Sequence, residues 1–306
     1  MPKTNALKSR AAHFGILSLV AGAVMISLSG VWVKVAHVAP NVSAFYRVFF
    51  GGMILFGAAL SRHELKWPGA RQLMMCLLCG FLFAMDLWLY HNSIQYIGPG
   101  LGTILPNFQV FILAAAGILF LSEPLRPAYL LSLPLAFAGL FMIVGSHWSH
   151  LEPLYRIGIY YGLACAFCYA GFLLSLRKLQ ADQMGVSFFY VLMMVSFATA
   201  IFLAAEIIYS HDSFQIPDSQ SFFALAALGL LSQSAGWILI TNALPGIRAS
   251  LSGLILLLQP ALAFVWDVVF FQRPTSLLNW LGVGLALTAI YLGMAGSTRP
   301  VLSHED

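Results

Sequence analysis

A carboxylate inside an apolar run is the first residue to explain. Asp86 stands in Phe83-Ala84-Met85-Asp86-Leu87-Trp88-Leu89-Tyr90. Tyr90 lies one helical turn further on, so the two share a face. A charge near the centre of a membrane helix costs about 2.5–3.5 kcal/mol on insertion scales, and such groups mark substrate or proton paths. Asp86 therefore reads as a binding group for a cation or a proton; the alternative is a buried carboxylate bonded to a neighbouring helix. Helix breakers and amides form a second pattern. Pro106, Asn107 and Gln109 fall in one apolar segment, and Gln259 and Pro260 in another. A proline frees a backbone carbonyl, which in lipid needs a partner. Interrupted helices at matching places in two halves point to a transport site; the alternative is a packing kink bridged by amides. Trp32, Tyr169 and Trp237 could stack on a substrate or cover a cation. Gln233 sits one turn before Trp237 and could share its face. Lys34 and Asp267 lie near helix ends. Lys34 either snorkels to the interface or meets an anionic group on entry. Asp267 either serves in coupling and gating or pairs with Arg273 and similar groups.

Other chemistries find no support. Cys76/Cys79 and Cys165/Cys168 are CxxC pairs, but each lies in an apolar helix with no histidine nearby. Cysteine is also a common small buried residue, so no metal site is expected. No glycine-rich phosphate loop follows a strand, and no Ser/His/Asp arrangement stands out. No catalytic role and no cofactor are expected, and with no aqueous domain to hold ATP the energy source must be an ion or substrate gradient.

The elements that must position these residues follow from composition. Of 306 residues, 60% are hydrophobic and 8% charged, against about 25% charged in a soluble domain. Such a chain cannot cover itself in water. A membrane helix needs about 20 mostly apolar residues, and ten spans fit: 14–36, 42–61, 71–93, 99–121, 127–146, 157–177, 185–209, 221–243, 249–271 and 276–296. The expected fold is an all-α membrane protein. The first span is too long, and lacks a small-x-small site, to be a cleaved leader. Lysine and arginine set the orientation. With ten spans, eleven of these residues fall on the side of both termini and four (Lys34, Arg47, Arg156 and Arg273) on the other. The side with eleven is expected to be cytoplasmic. The basic residues are dispersed between spans, so nucleic acid is not an expected partner.

The chain also repeats itself. A shift of 150 pairs Asn92 with Asn242, Leu101 with Leu251, Gln109 with Gln259 and Pro124 with Pro274. A shift of 143 or 144 pairs Gly15-Ile16 with Gly158-Ile159, Lys34 with Arg177, and Phe45-Tyr46 with Phe189-Tyr190. Each repeat has five spans, an odd number, so the second copy enters the membrane from the opposite side. Inverted repeats give many secondary transporters two related states around a site near the midplane.

Several stretches carry a resemblance. Ser29-Gly30-Val31-Trp32-Val33-Lys34 followed by Ala44-Phe45-Tyr46-Arg47 is similar to the opening of an EamA-type repeat. Gly100-Leu101-Gly102 through Pro106 to Ser122-Glu123-Pro124 continues it, with the small-residue helix around Gly139. Ala249-Ser250-Leu251-Ser252-Gly253, Gln259-Pro260 and Arg273-Pro274 repeat the theme more loosely. Over nearly its whole length the chain resembles the drug/metabolite transporter superfamily, EamA type. Two departures are Gln272-Arg273, where an acidic residue is usual, and Val191, opposite Arg47. The resemblance implies ten helices as two repeats, 1–146 and 157–296, with a short cytoplasmic tail at 297–306. It implies a cavity lined by helices 1, 3, 4, 6, 8 and 9, and an activity in moving small metabolites, often outward. The expected function is a multi-pass carrier in a bacterial-type inner membrane. Its cargo is expected to be an amino acid or related compound moving outward, with possible proton coupling. Uptake of a nucleotide-like metabolite, or a channel, are the alternatives.

Overall fold

A computed structural model describes residues 2–65, 69–123, 127–144, 153–181, 187–272 and 275–297. The described regular structure is helical throughout. The chain runs α1 (Pro2–Ser27), α2 (Ser29–Val35), α3 (Pro40–Ser61) and α4 (Ala70–Ile104), then a 3-10 turn (Leu105–Phe108), α5 (Gln109–Leu121) and α6 (Pro127–Val144). The second half runs α7 (Pro153–Ala181), α8 (Phe188–Tyr209), α9 (Ser219–Ala227), a π-helical segment (Leu228–Gly236) and α10 (Trp237–Ala243). After a 3-10 turn (Leu244–Gly246) come α11 (Ala249–Leu256), α12 (Leu258–Phe271) and α13 (Leu277–Ser297). Among the described residues, seven helical segments are long and apolar enough to cross a membrane. Three shorter apolar helices, Leu105–Leu121, Pro127–Met142 and Leu277–Gly293, accompany them. Most of the tail expected at 297–306, and the Arg273-Pro274 pair, lie outside the described residues.

The connection expected between the third and fourth spans is a correction. α4 continues as helix through 94–98 and past Pro99 to Ile104. The stretch 91–97 contains no glycine or proline to break it, and helical hydrogen bonds satisfy the backbone where water is absent.

The repeat is written into the packing. α3 lies on α8, α5 on α11, and α6 on α13, while α1 lies on α10 and α4 on α7. Exchanging the two halves maps the α3–α8 and α6–α13 pairs onto themselves and the last two onto each other. The helix ends repeat as well. The non-glycine residues with positive φ are His63 (53°), Ser122 (51°), His211 (58°) and Gln272 (50°) among those described. His63 and His211 follow the corresponding helices α3 and α8, and an acidic residue comes next in each case. The Glu64 N–H donates to the Ala59 carbonyl and the Asp212 N–H to the Ile207 carbonyl, both at 3.0 Å. Ser122 and Gln272, which the 150-residue shift aligns, end α5 and α12 as left-handed caps. A left-handed residue of this kind lets the last carbonyls of a helix find donors.

Small residues permit the closest approaches. A Cβ at Gly51 of α3 would lie 2.4 Å from Gln233 Cγ, and one at Gly139 of α6 would lie 2.6 Å from the Ala286 nitrogen of α13. Without a hydrophobic force between helices in lipid, such approaches supply the van der Waals contact that holds them together.

Candidate functional site

Two of the repeat-related segments break at the same place. The 3-10 turn Leu105–Phe108 interrupts one, and a turn at Leu257 separates α11 from α12 in the other. The prolines Pro106 and Pro260 adjoin these breaks. Between them lies a cavity of about 310 Å³, within the range of small-molecule sites. Its wall takes residues from α1–α2, α3, α4, both broken segments, α7, and the π segment with α10. The lining expected from the resemblance lacked the second helix. α3 contributes Pro40, Ser43, Ala44 and Arg47.

The sequence-selected residues divide. Asp86, Tyr90, Asn107, Tyr169, Trp237, Gln259, Pro106 and Pro260 stand on the cavity wall. Gln109 is fully buried between α5 and α11, donating to the Gly253 carbonyl at 3.4 Å. Gln233 is buried between the π segment and α8, donating to Ser196 Oγ at 3.0 Å. Trp32 packs beside Ala36 and Leu225. Lys34 and Asp267 meet each other, Nζ to Oδ1 at 2.5 Å, and Lys34 lies 4.4 Å from the centre of the Phe271 ring. Asp267 thus pairs with Lys34, and Arg273 lies outside the described residues.

Arg47 is the residue that sequence reasoning placed wrongly. It was counted as a topology charge outside the membrane, but it lies seven residues into α3, about 10 Å from the helix start at 1.5 Å per residue. Its side chain lines the cavity with Asp86. Its Nε is buried without a hydrogen-bond partner, and the guanidinium stands 6.0 Å from the centre of the Phe83 ring. Among the described residues neither Arg47 nor Asp86 forms an ion pair. Asp86 instead accepts from the Cys165 thiol, Sγ to Oδ1 at 3.0 Å. His91 and Ser43 are further wall residues that the sequence did not single out, and Cys165, read from the sequence as a small buried residue, joins them. The Nδ1 of His91, Oγ of Ser43 and Nε1 of Trp237 are also buried and unpartnered. The Nε2 of Gln259 is likewise buried without a partner.

The two ends of the cavity differ. At the Lys34 end its wall includes Gly30, Val33 and Pro40, all exposed, so the cavity reaches the surface there. At the other end Phe83 and Trp237 form a floor with Phe172 behind them. Phe83 stacks on Phe172 at 4.4 Å, and Trp237 meets Phe172 edge-on at 4.9 Å. Beyond the floor is a buried clasp. Glu123 accepts from the Ala249 N–H at 2.6 Å, the Ser250 N–H at 3.2 Å and the Ser250 hydroxyl at 2.8 Å. Arg177 donates to the Ile247 carbonyl, and the Tyr129 hydroxyl donates to the Ser250 carbonyl at 3.0 Å. From Ser250 to Asp267 the chain climbs 17 helical residues, roughly 26 Å, so clasp and surface ion pair sit at opposite ends. Among the described residues no group of three or more His, Cys, Asp or Glu could hold a metal.

The EamA-like transporter family matches residues 13–145 and again residues 156–294. The chain belongs to that family. Two successive matches agree with the doubled packing and with the paired helix caps, and the family makes this a multi-pass membrane transporter of the drug/metabolite type. A solved crystal structure of a protein, with no further description, has the same fold, with a TM-score of 0.76. It is 17% identical to this family member over 94% of this chain and 99% of that one. No curated protein matches the sequence.

Proposed function

We propose that this family member is a secondary carrier with ten transmembrane helices in two inverted five-helix repeats, residues 1–146 and 157–296. Both termini and the tail at 297–306 are cytoplasmic, in a bacterial-type inner membrane. The cargo is a small polar metabolite, an amino acid or related compound, and the direction is outward. One observation carries the reading: a cavity between the repeats, largely apolar but holding Arg47, Asp86, Asn107 and Gln259 on its wall, that reaches the surface at one end and is closed at the other. Lys34 and Arg177, which the repeat aligns, hold opposite ends. Lys34 pairs with Asp267 across the mouth, and Arg177 joins the Ile247 carbonyl beside the Glu123 clasp. Alternating access then consists of opening the clasp while the mouth closes, around Asp86, Tyr90, Asn107, Tyr169, Trp237 and Gln259. Asp86 is the group through which a proton is exchanged for cargo.

Arg47 by itself favours a second reading, inward transport of a nucleotide-like anion. Asp86 in the same cavity opposes a polyanion, so the first reading is preferred. Inside-out vesicles carrying the protein separate these. Saturable accumulation of labelled amino acids, abolished by a protonophore, supports the carrier. Conductance that does not saturate means a channel, and accumulation of nucleotides in right-side-out vesicles means the second reading.

A further inference from the structure

The cavity contains two opposite charges that do not neutralise each other. Arg47 and Asp86 line the same cavity of about 310 Å³. Inside a protein, opposite charges attract far more strongly than in water, and an unpaired buried charge is strongly destabilising. A structural pair would close to a direct contact. These two do not: Asp86 is held by Cys165, and Arg47 leaves Nε without a partner. They come from different elements, α3 and α4, so their spacing is set by how those helices pack.

We infer that Arg47 is an anion subsite and Asp86 a cation subsite of one receptor, and that the cargo is a small zwitterion whose carboxylate lies on Arg47 and whose ammonium lies on Asp86. This rests on the carrier reading above and narrows its substrate class. The guanidinium suits a carboxylate because its fork of donors matches the two oxygens. The neighbouring Ser43 hydroxyl, Trp237 Nε1 and His91 Nδ1 are buried without partners. The first two can donate to a carboxylate, which accepts only. Tyr90, Trp237 and the Phe83 ring complete the wall with apolar surface for the rest of the molecule. A monovalent cation would leave Arg47 unpaired, and a monovalent anion would leave the ionised form of Asp86 unpaired. Only a molecule with both charges satisfies both residues, which is how a site rejects close analogues.

The test uses the full chain in lipid nanodiscs and three forms of one probe: L-leucine, its methyl ester (cation only) and N-acetyl-L-leucine (anion only). The same series is run on whichever of the twenty L-amino acids stabilises the protein most against heat. The expected result is that the zwitterion binds at least about tenfold more tightly than either derivative. Arg47→Gln should weaken the zwitterion by about tenfold or more without weakening the ester, while Asp86→Asn should weaken the zwitterion without weakening the N-acetyl form. Arg47→Lys keeps the charge and guards against loss of folding; it should bind the zwitterion with intermediate affinity. Equal binding of ester and zwitterion, or the same ratio in wild type and Arg47→Gln, overturns the inference while the carrier reading stands. If no amino acid binds but a nucleotide or a polyamine does, both the zwitterion inference and the amino-acid cargo fall, and the carrier fold remains.

Discussion

Removing the carboxylate of Glu123 should loosen one end of the molecule by a calculable amount. The side chain is 8% exposed and accepts three hydrogen bonds, two of them from the first backbone N–H groups of α11. Those N–H groups have no intrahelical acceptor, and a carboxylate there also meets the positive end of the helix dipole. Hydrogen bonds to a charged group are worth about 1.5–3 kcal/mol each, but they are not additive, and the freed donors regain little in a buried site. Glu123→Ala should therefore cost about 3–5 kcal/mol, the range seen when one partner of a buried charged contact is removed. Glu123→Gln keeps one acceptor oxygen and should cost about 1–3 kcal/mol. At roughly 2–4 °C per kcal/mol for a large domain, Glu123→Ala should melt roughly 6–20 °C lower. The assay is a melting curve of the purified protein in one detergent, with Glu123→Gln falling between the two. A melting point for Glu123→Ala within 2–3 °C of wild type, about the shift one kcal/mol produces, would refute the claim that Glu123 ties α5 to α11.

Three further outcomes follow from other contacts. The Lys34–Asp267 pair is half exposed, so it is worth less than about 1 kcal/mol; Lys34→Glu should leave the melting point unchanged yet slow transport, and adding Asp267→Lys should restore it. If the double variant stays as slow as the single one, the pair does not close the mouth. Gly51→Ala drives a methyl to 2.4 Å from Gln233 Cγ and should destabilise by about 1–3 kcal/mol, whereas a neutral result would mean that α3 and the π segment can part freely. Asp218, at the N-cap of α9, is held below the usual carboxylate range by the Ser221 N–H first and the His37 side chain second. A group whose pKa is lowered on folding contributes stability above its unfolded value of about 4 and loses it as pH falls further, so the melting advantage of wild type over Asp218→Asn should shrink steadily as pH falls below about 4; an advantage that does not change with pH there contradicts the assignment.

The parts of this fold legible in the sequence were those with a period or a composition. Long apolar runs announced the helices, and the 150-residue shift that aligned Gln109 with Gln259 also aligns the left-handed caps Ser122 and Gln272. Interruptions near Pro106 and Pro260 were legible for the same reason, because proline has a fixed backbone consequence. What could not be read was which face of each helix turns inward. Gln109 and Gln233 are amides in apolar helices just as Gln259 is, yet they bridge helix pairs while Gln259 faces the cavity. Nothing local separates the three. Arg47 was misread because a basic residue five positions into an expected span looks like an end charge. Its meaning depends on Asp86, 39 residues away on another helix. The clasp was hidden similarly, since Glu123 acts on backbone groups of Ala249 and Ser250 that have no sequence signature.

The most direct test of the account is solute counterflow in proteoliposomes. Vesicles are preloaded with a high concentration of the unlabelled amino acid that stabilises the protein, and a trace of the labelled compound is added outside. An alternating-access carrier should accumulate the label transiently above its external concentration, in a saturable way, and Asp86→Asn and Arg47→Gln should each abolish the overshoot. Simple equilibration without overshoot, equal in wild type and both variants, would contradict the claim that this cavity carries its cargo across the membrane.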